Sequence, residues 1–132
     1  MFRLITGGAS STRPFSPGFV VGDVLHISGQ ASVDPDGGRI IPDTFEGEMR
    51  RSIANLEAIL RAAGLTLDHV FSVRCYLGAD ADGAAHNRIY AEYFTPPFPV
   101  RSTLVNVLGQ ELKYELDALA HTSLTRAEAA RS

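Results

Sequence analysis

The protein has 132 residues, of which 45% are hydrophobic and 20% charged, a composition typical of one folded domain rather than a disordered chain. No apolar run approaches the roughly 20 residues that a membrane-spanning helix needs. The formal net charge of −3 does not favour nucleic acid as an electrostatic partner. The single cysteine, Cys75, excludes an internal disulfide framework, and the N-terminus lacks a signal-peptide pattern, so we expect a cytoplasmic protein.

Arginine carries nearly all of the positive charge, with eleven Arg against Lys113 alone. A single ε-amine in a polar stretch leaves little scope for Schiff-base chemistry. A planar guanidinium suits bidentate binding of a carboxylate, so arginine is the expected ligand of any carboxylate substrate.

The N-terminal part of the chain predicts strands. Residues 2–6 form a short apolar run that could pair as an edge strand, and 10–18 predict a loop. Residues 19–30 are rich in β-branched side chains and bounded by glycines, which indicates one strand. A turn at 34–38 joins this strand to a short extended piece at 39–41, so a hairpin is predicted.

The clearest predicted element is a helix between Asp43 and Gly64. Asp43 followed by Glu46 resembles a capping box, and Gly64 is the residue type that commonly ends a helix. The apolar residues between them recur at helical spacing and are assigned to the core: Met49, Ile53, Leu56 and Leu60.

A strand is predicted over 69–77, where apolar and polar residues alternate. Cys75 shares a face with Phe71 and Val73, so we expect a packed thiol rather than a nucleophile.

The rest of the chain predicts a helix and two strands. The helix covers 82–94 and is ended by the prolines at 96–97. Strands at 101–108 and 112–121 are separated by a short turn, which predicts an antiparallel hairpin.

This element order predicts an α+β domain over residues 1–121, with both helices on one face of a single sheet. Apolar residues on both faces of the last strands include Val105, Val107, Leu116 and Leu119. A second apolar face needs a partner, so we expect an oligomer. The polar segment 122–132 could be a frayed helix or disordered.

Several common motifs are missing from the sequence. It has no P-loop, dinucleotide-binding glycine fingerprint or nucleophile elbow. Its histidines have no metal-ligand spacing and are expected in surface or hydrogen-bonded roles: His26, His69, His86 and His121. No metal is predicted.

One group of residues points to chemistry. The stretch 97–103 places Arg101 at the first residue of a strand, directly after a proline-rich loop. On the predicted antiparallel partner strand, Glu115 and Asp117 share one face because side chains alternate. Such a pairing could form a polar site on a rigid frame. It could equally be a cross-strand ion pair worth less than about 1 kcal/mol, and the residues alone leave both readings open.

A series of motifs follows in order through residues 14–121: PFSP at 14–17, VGD at 21–23, ISGQ at 27–30, the helix text SIANLEAILRAAGLTLDHV, Asn87-x-x-Tyr90-Ala91-x-Tyr93-Phe94, Pro99-Val100-Arg101-Ser102-Thr103, and YELDALA at 114–120. Together these motifs resemble the YjgF-like reactive intermediate deaminase (Rid) family, also called the L-PSP endoribonuclease family. The SGQ and P-x-R-S-T elements are specific in combination, whereas either alone would be weak.

The resemblance implies a chorismate-mutase-like α+β fold, with a single mixed β-sheet and two helices packed on one face. It also implies a homotrimer with sites in the clefts between subunits. The implied activity is hydrolysis of reactive enamines and imines, such as 2-iminopropanoate and 2-iminobutanoate, to 2-oxo acids and ammonia. No metal or organic cofactor is implied.

Roles for individual residues follow from the same resemblance. Arg101 would bind the substrate carboxylate bidentately, and Glu115 would orient or deprotonate the attacking water. Ser28 would hydrogen-bond substrate or water. Asn87 matches the family's helix asparagine, for which a structural role is equally open, and Thr103 would line the site through its backbone.

The chain departs from the family at Phe15, a residue expected in the substrate pocket, where many deaminases of the family have a tyrosine. A member that binds or hydrolyses another small carboxylate-bearing imine is therefore an alternative. A ribonuclease is disfavoured by the acidic charge and by the absence of a basic stripe with interleaved aromatic residues. A non-enzymatic, chaperone-like protein also stays open.

Overall fold

A computed structural model describes residues 1–9 and 11–131; Ser10, the first residue of the predicted loop, and Ser132, the last residue of the predicted tail, lie outside the described residues. The described residues form six strands and three α-helices, in the order β1 (Phe2–Ile5), β2 (Gly18–Val21), β3 (Val24–Ala31), α1 (Phe45–Ala62), β4 (Val70–Leu77), α2 (Gly83–Tyr93), β5 (Val100–Val105), β6 (Tyr114–His121) and α3 (Arg126–Ala129). A 3₁₀ turn at Leu67–His69 precedes β4. The α+β class is as predicted.

All six strands belong to one mixed sheet with the order β1-β2-β3-β6-β4-β5. Neighbouring strands are antiparallel except for β5, which pairs in parallel with β4 at the edge of the sheet. The predicted hairpin of β5 with β6 is therefore wrong, because β4 lies between them. The reason lies in the connection: helix α2 lies between β4 and β5, and a parallel pair requires such a crossover. As a result, β6 is central and buries alternate side chains, whereas all six residues of β5 are exposed at the edge.

The predicted strand over 19–30 is in fact two strands. β2 and β3 form a hairpin in which Val21 is in register with Val24. Gly22, in the two-residue turn between them, has φ of 62°, a conformation that glycine adopts without steric cost. The hairpin predicted farther along is reduced to one isolated bridge between Val33 and Ile40.

Helix α1 begins one residue later than predicted. Thr44 is the N-cap, and its side chain accepts a hydrogen bond from Gly47 N. Glu46 instead pairs with Arg50 one turn along the helix. Gly64 follows the C-cap with φ of 77°, which confirms it as the residue that ends the helix.

The core lies between the sheet and helices α1 and α2. The side chains assigned to it from α1 are fully buried, as predicted: Met49, Ile53, Leu56 and Leu60. Cys75 of β4 is also buried, and burial raises the pKa of its thiol to about 11, so it is packed rather than reactive. Among residues 1–9 and 11–131, every helix falls short of the length and hydropathy of a membrane-spanning helix.

Alternation along β6 separates the two faces of the sheet. Tyr114, Leu116, Ala118 and Ala120 are buried on the helix side. The residues between them, including Glu115, are half-buried on the opposite face, which we call the outer face. Any polar group on the outer face is thus separated from the helices by the thickness of the sheet.

Candidate functional site

Arg101 lies on the helix side of the sheet near the start of β5. It is in register with the buried Val73 of β4, so its side chain is directed towards α2. Arg101 Nη2 donates a 2.9 Å hydrogen bond to Asn87 Oδ1 of α2. Its Cζ lies 4.8 Å from the centroid of the Tyr90 ring. Two contacts from one rigid helix therefore orient the guanidinium, and the Asn87 bond uses only one of its five N–H donors.

A cavity of about 330 Å³ adjoins this guanidinium. Its wall is largely apolar, with one amide and one cation. We call it the Arg101 pocket, and it is lined by Asn87, Tyr90, Ala91, Phe98, Pro99 and Arg101. A small carboxylate with a short apolar side chain matches this lining. Thr103 is exposed two residues farther along β5, on the same side as Arg101.

Glu115 occupies the outer face of the sheet, where its carboxylate covers Gly29 of β3. A Cβ at Gly29 would lie 3.0 Å from Glu115 Oε2, so the glycine leaves the space that the carboxylate occupies. Burial first, and then the negative charge of Asp117, raises the pKa of Glu115. A carboxyl group whose pKa is raised can both accept and return a proton nearer to neutral pH than an ordinary glutamate.

Two adjoining cavities of about 1020 and 400 Å³ meet beside Glu115. We call the space around their shared wall the Glu115 cleft, and the residues that line both cavities are Arg13, Phe15, Ser16, Gly29 and Glu115. Ser28 lines the larger cavity, and its hydroxyl donates to the backbone oxygen of Ser16. The cleft therefore contains an acid or base, a hydroxyl group and an exposed phenyl ring.

Asp117 neighbours Glu115 on the outer face but is already engaged. It accepts 2.6 Å and 2.9 Å hydrogen bonds, from Tyr76 Oη and Arg74 Nε respectively. Since both carboxylate oxygens have partners, Asp117 acts on the cleft as a fixed negative charge rather than as a free base.

The predicted site residues fall into two groups. Arg101 and Asn87 belong to the Arg101 pocket, with Thr103 beside it on β5, whereas Glu115, Ser28 and Phe15 belong to the Glu115 cleft. The expectation that Arg101 stands beside a carboxylate of its partner strand is wrong within one chain. Its partner strand is β4, and the Glu115 side chain is on the other face.

Sequence reasoning gave no role to Tyr90, although its ring underlies Arg101. A signal was present, because Asn87 and Tyr90 are three residues apart and therefore share one face of a helix. The bonds of Asp117 to Tyr76 and Arg74 had no such signal, since they depend on the pairing of β4 with β6.

His86 is another buried group on α2, behind Tyr90. Its Nε2 and the hydroxyl of Tyr90 are buried atoms without a hydrogen-bond partner in the described part of the chain. Burial, and secondarily the charge of Arg101, lowers the pKa of His86 to about 4. Across residues 1–9 and 11–131, no three His, Cys, Asp or Glu side chains are grouped so that they could hold a metal ion.

Most of the chain matches the sequence model of one protein family. The sequence model of the family described as Endoribonuclease L-PSP matches residues 7–122. The chain belongs to the endoribonuclease L-PSP family. This confirms the resemblance found in the motifs, and it leaves the last ten residues outside the match.

Relatives within the L-PSP family carry several names. A RutC family protein of Pyrococcus horikoshii is 36% identical over 82% of this chain and 86% of its own length. A protein of Capra hircus named 2-iminobutanoate/2-iminopropanoate deaminase is 32% identical over 81% of this chain and 79% of its own. The structure of Escherichia coli TdcF with bound serine has a TM-score of 0.78 and 27% identity, and it covers 90% of this chain and 98% of TdcF. The single-sheet α+β fold is thus that of known L-PSP family structures.

Proposed function

We propose that this L-PSP family protein is a hydrolytic deaminase of reactive enamines and imines of the 2-iminopropanoate and 2-iminobutanoate type. Its products would be a 2-oxo acid and ammonia. The observation that carries the proposal is the Arg101 pocket, in which a guanidinium held by Asn87 and Tyr90 adjoins a small apolar cavity. The deaminase name of the Capra hircus relative and the serine bound in TdcF support a small amino-acid-like substrate.

The two groups of site residues can act on one substrate only if different subunits supply them. We infer an assembly, a homotrimer by family resemblance, in which the Arg101 pocket of one subunit faces the Glu115 cleft of its neighbour. Large apolar side chains on β1, β2 and β5 are exposed in the single chain, which supports the burial of these strands against a neighbouring subunit. They are Phe2, Leu4, Val21, Val100, Leu104 and Val105. A ring of identical interfaces would form one complete site at each contact.

Arg101 binds the substrate carboxylate through two parallel N–H···O bonds in this mechanism. The pocket wall at Phe98 and Pro99 then accommodates the short side chain of the imino acid. Fixing the carboxylate orients the imine carbon towards the neighbouring cleft, and this positioning is the main contribution that the Arg101 pocket makes to the rate.

Glu115 acts first as general base and then as general acid in this mechanism. Its carboxylate accepts a proton from a water molecule as the water oxygen bonds to the carbon of the protonated imine, and the C=N π-electrons move to nitrogen, which becomes a neutral amine. The protonated Glu115 then returns that proton to the amine nitrogen. The C–N bond of the resulting ammonium group breaks, ammonia leaves, and the Glu115 carboxylate takes up the hydroxyl proton to give the 2-oxo acid. The raised pKa of Glu115 suits both halves of this transfer.

A second candidate substrate class is favoured by Phe15. Its ring is 52% exposed and lines both cavities of the cleft, where many family deaminases have a phenol. An apolar surface here favours imino acids with a larger apolar side chain. The reaction would be the same, and the two classes differ only in the substrate that gives the higher kcat/KM.

The test measures release of ammonia and 2-oxo acid from imines generated in situ by an amino-acid oxidase. We expect acceleration by the wild type, at least 100-fold loss with Arg101→Ala or Glu115→Gln, and little change with Arg88→Ala, an exposed arginine on the same helix as Asn87. Phe15→Tyr should raise kcat/KM for 2-iminobutanoate. A folded wild type that does not accelerate release, or an Arg101→Ala variant as active as wild type, would refute the proposed deaminase.

A further inference from the structure

The loop between α2 and β5 forms one wall of the Arg101 pocket. Phe98 and Pro99 line the cavity, and Arg101 follows two residues later. Three of the five residues in 95–99 are prolines, which have no backbone N–H. The loop therefore has few backbone N–H groups for hydrogen bonds within itself. The position of Arg101 nevertheless depends on the conformation of this loop, because Arg101 follows it closely in the sequence.

Arg126 holds this loop from outside. Its Nε donates a 2.7 Å bond to Pro97 O, and its Nη2 donates a 3.2 Å bond to Thr95 O. Nη1 donates to Leu67 O and Val70 O, at 2.7 Å and 2.5 Å. One guanidinium thus joins the loop to the segment that leads into β4. With only 7% of its surface exposed, Arg126 is an internal tie rather than a surface charge.

A second route connects Arg126 to Arg101 through two stacked rings. Arg126 Cζ lies 6.0 Å from the centroid of the Phe94 ring. The Phe94 and Tyr90 rings stack with centroids 4.6 Å apart and planes inclined by 28°. Tyr90 in turn carries the guanidinium of Arg101 at 4.8 Å. The sequence of contacts is cation, ring, ring, cation, each within the range of favourable aromatic interaction.

Arg126 is positioned by the start of a short helix in the C-terminal segment. Thr125 and Glu128 form a capping box that starts the short helix α3, and Arg126 is its first residue. Within this segment, which the sequence left as a frayed helix or disordered tail, residues 126–129 form a helix that is anchored to the domain by the buried Arg126. It also lies beyond residues 7–122, the part that matches the family.

We propose that Arg126 is a positioning residue that sets the carboxylate-binding geometry of the Arg101 pocket. The inference rests on the proposed function in one respect, namely that this pocket binds the substrate carboxylate. Arg126 would not touch substrate; it would fix the loop at 95–99 and the ring pair on which Arg101 rests. Arg101 would still orient the substrate once it is bound, so losing Arg126 should mainly weaken capture of the carboxylate and raise KM more than it lowers kcat.

The variants are Arg126→Ala, Arg126→Lys and the matched control Arg131→Ala, an exposed arginine in the same segment. With 2-iminobutanoate, Arg126→Ala should raise KM by about tenfold while kcat stays within about twofold. Arg126→Lys keeps the charge but not the planar fork, so its KM should fall in between. Arg131→Ala should match wild type, and the pH at which kcat/KM is half-maximal on its acid side should be unchanged in every variant.

Hydrogen exchange measured by mass spectrometry supplies a readout that needs no activity. In Arg126→Ala, peptides covering 94–104 should exchange faster, while peptides from α1 should exchange as in wild type. Wild-type exchange and KM in folded Arg126→Ala would overturn the inference. So would an equal loss of kcat and kcat/KM with faster exchange everywhere, and if the alanine variant does not fold, the lysine variant decides by the same criteria. A wild type without deaminase activity refutes the proposed function alone, because the exchange comparison still decides whether Arg126 holds this loop.

Discussion

Arg101 and Glu115 lie on opposite faces of one sheet. Arg101 is in register with Val73 on β4 and is directed towards α2, whereas Glu115 is in register with Tyr76 and occupies the outer face. A substrate small enough for the Arg101 pocket cannot reach through the sheet to the Glu115 of the same chain. If both residues serve one reaction, activity is a property of the assembly and not of the single chain.

The first prediction concerns the acid side of the pH profile. Glu115 must be ionised to accept a proton from water, so kcat/KM should fall as the pH falls through its raised pKa. Asp117→Asn removes the negative charge that contributes to raising this pKa, and the midpoint should therefore move to lower pH. The pH dependence of kcat/KM measures it, with the exposed Asp80→Asn as the control. An unshifted midpoint in Asp117→Asn contradicts this account of Glu115.

The second prediction concerns stability. A carboxyl group whose pKa is raised on folding stabilises the folded state below its unfolded pKa, and this contribution is lost as the pH rises through the folded value. Glu115→Gln removes the ionisation, so the variant should be more stable than wild type at pH 7 and show no such gain at pH 3. Urea unfolding at both pH values checks this. A variant less stable than wild type at pH 7 would be the opposite result.

The third prediction concerns His86, which has 1% of its surface exposed. Its pKa is lowered from 6.5 to about 4 by burial, with a contribution from the charge of Arg101. Stability that depends on the neutral imidazole is present above pH 6.5 and is lost as the pH falls through about 4. His86→Leu should therefore flatten the decline in urea midpoint between pH 7.5 and 4.5. Equal declines in wild type and His86→Leu would exclude His86 as the cause.

The fourth prediction concerns Asn55, a polar residue on the buried side of α1. Its Nδ2 donates to Ala31 O and Val33 O, at 3.0 Å and 3.1 Å, just where β3 ends. Asn55→Leu leaves both carbonyls without this donor, so the free energy of unfolding should fall by about 1–3 kcal/mol. Denaturant unfolding measures the change. Ala54→Leu, exposed on the same helix, should stay within about 0.5 kcal/mol of wild type.

Local patterns predicted the helices well and the strand pairing poorly. The helical spacing of residues such as Ile53 and Leu56 predicts which face of α1 is buried. No other segment needs to be known for this prediction, because a helix makes its backbone hydrogen bonds within itself. Strand pairing depends on segments that are far apart in the sequence. Proximity in the sequence favours β5 as the neighbour of β6, but β4 occupies that position. Gly22 illustrates a smaller case, since one residue with a positive φ turns an apparently continuous strand into a hairpin.

For the candidate site too, the sequence predicted the residues but not their arrangement in the fold. Motif spacing and the family resemblance selected Arg101 and Glu115 as candidate site residues, but did not show which face of the sheet each occupies. That assignment follows from the parallel pairing of β5, which the sequence does not show. Arg126 was missed for a similar reason, because the carbonyls it binds lie about 30 to 60 residues earlier in the chain and share no motif with it.

The most direct measurement of the central claim is subunit complementation between Arg101→Ala and Glu115→Ala. The two inactive variants are unfolded together in equal amounts and refolded, with refolded mixtures of Arg101→Ala and the double variant as control. If each site takes its arginine from one subunit and its glutamate from the next, random assembly should restore about one quarter of wild-type activity, since each contribution is intact half the time. The control should remain inactive. A refolded mixture with no more activity than its separate components would contradict a site shared between subunits.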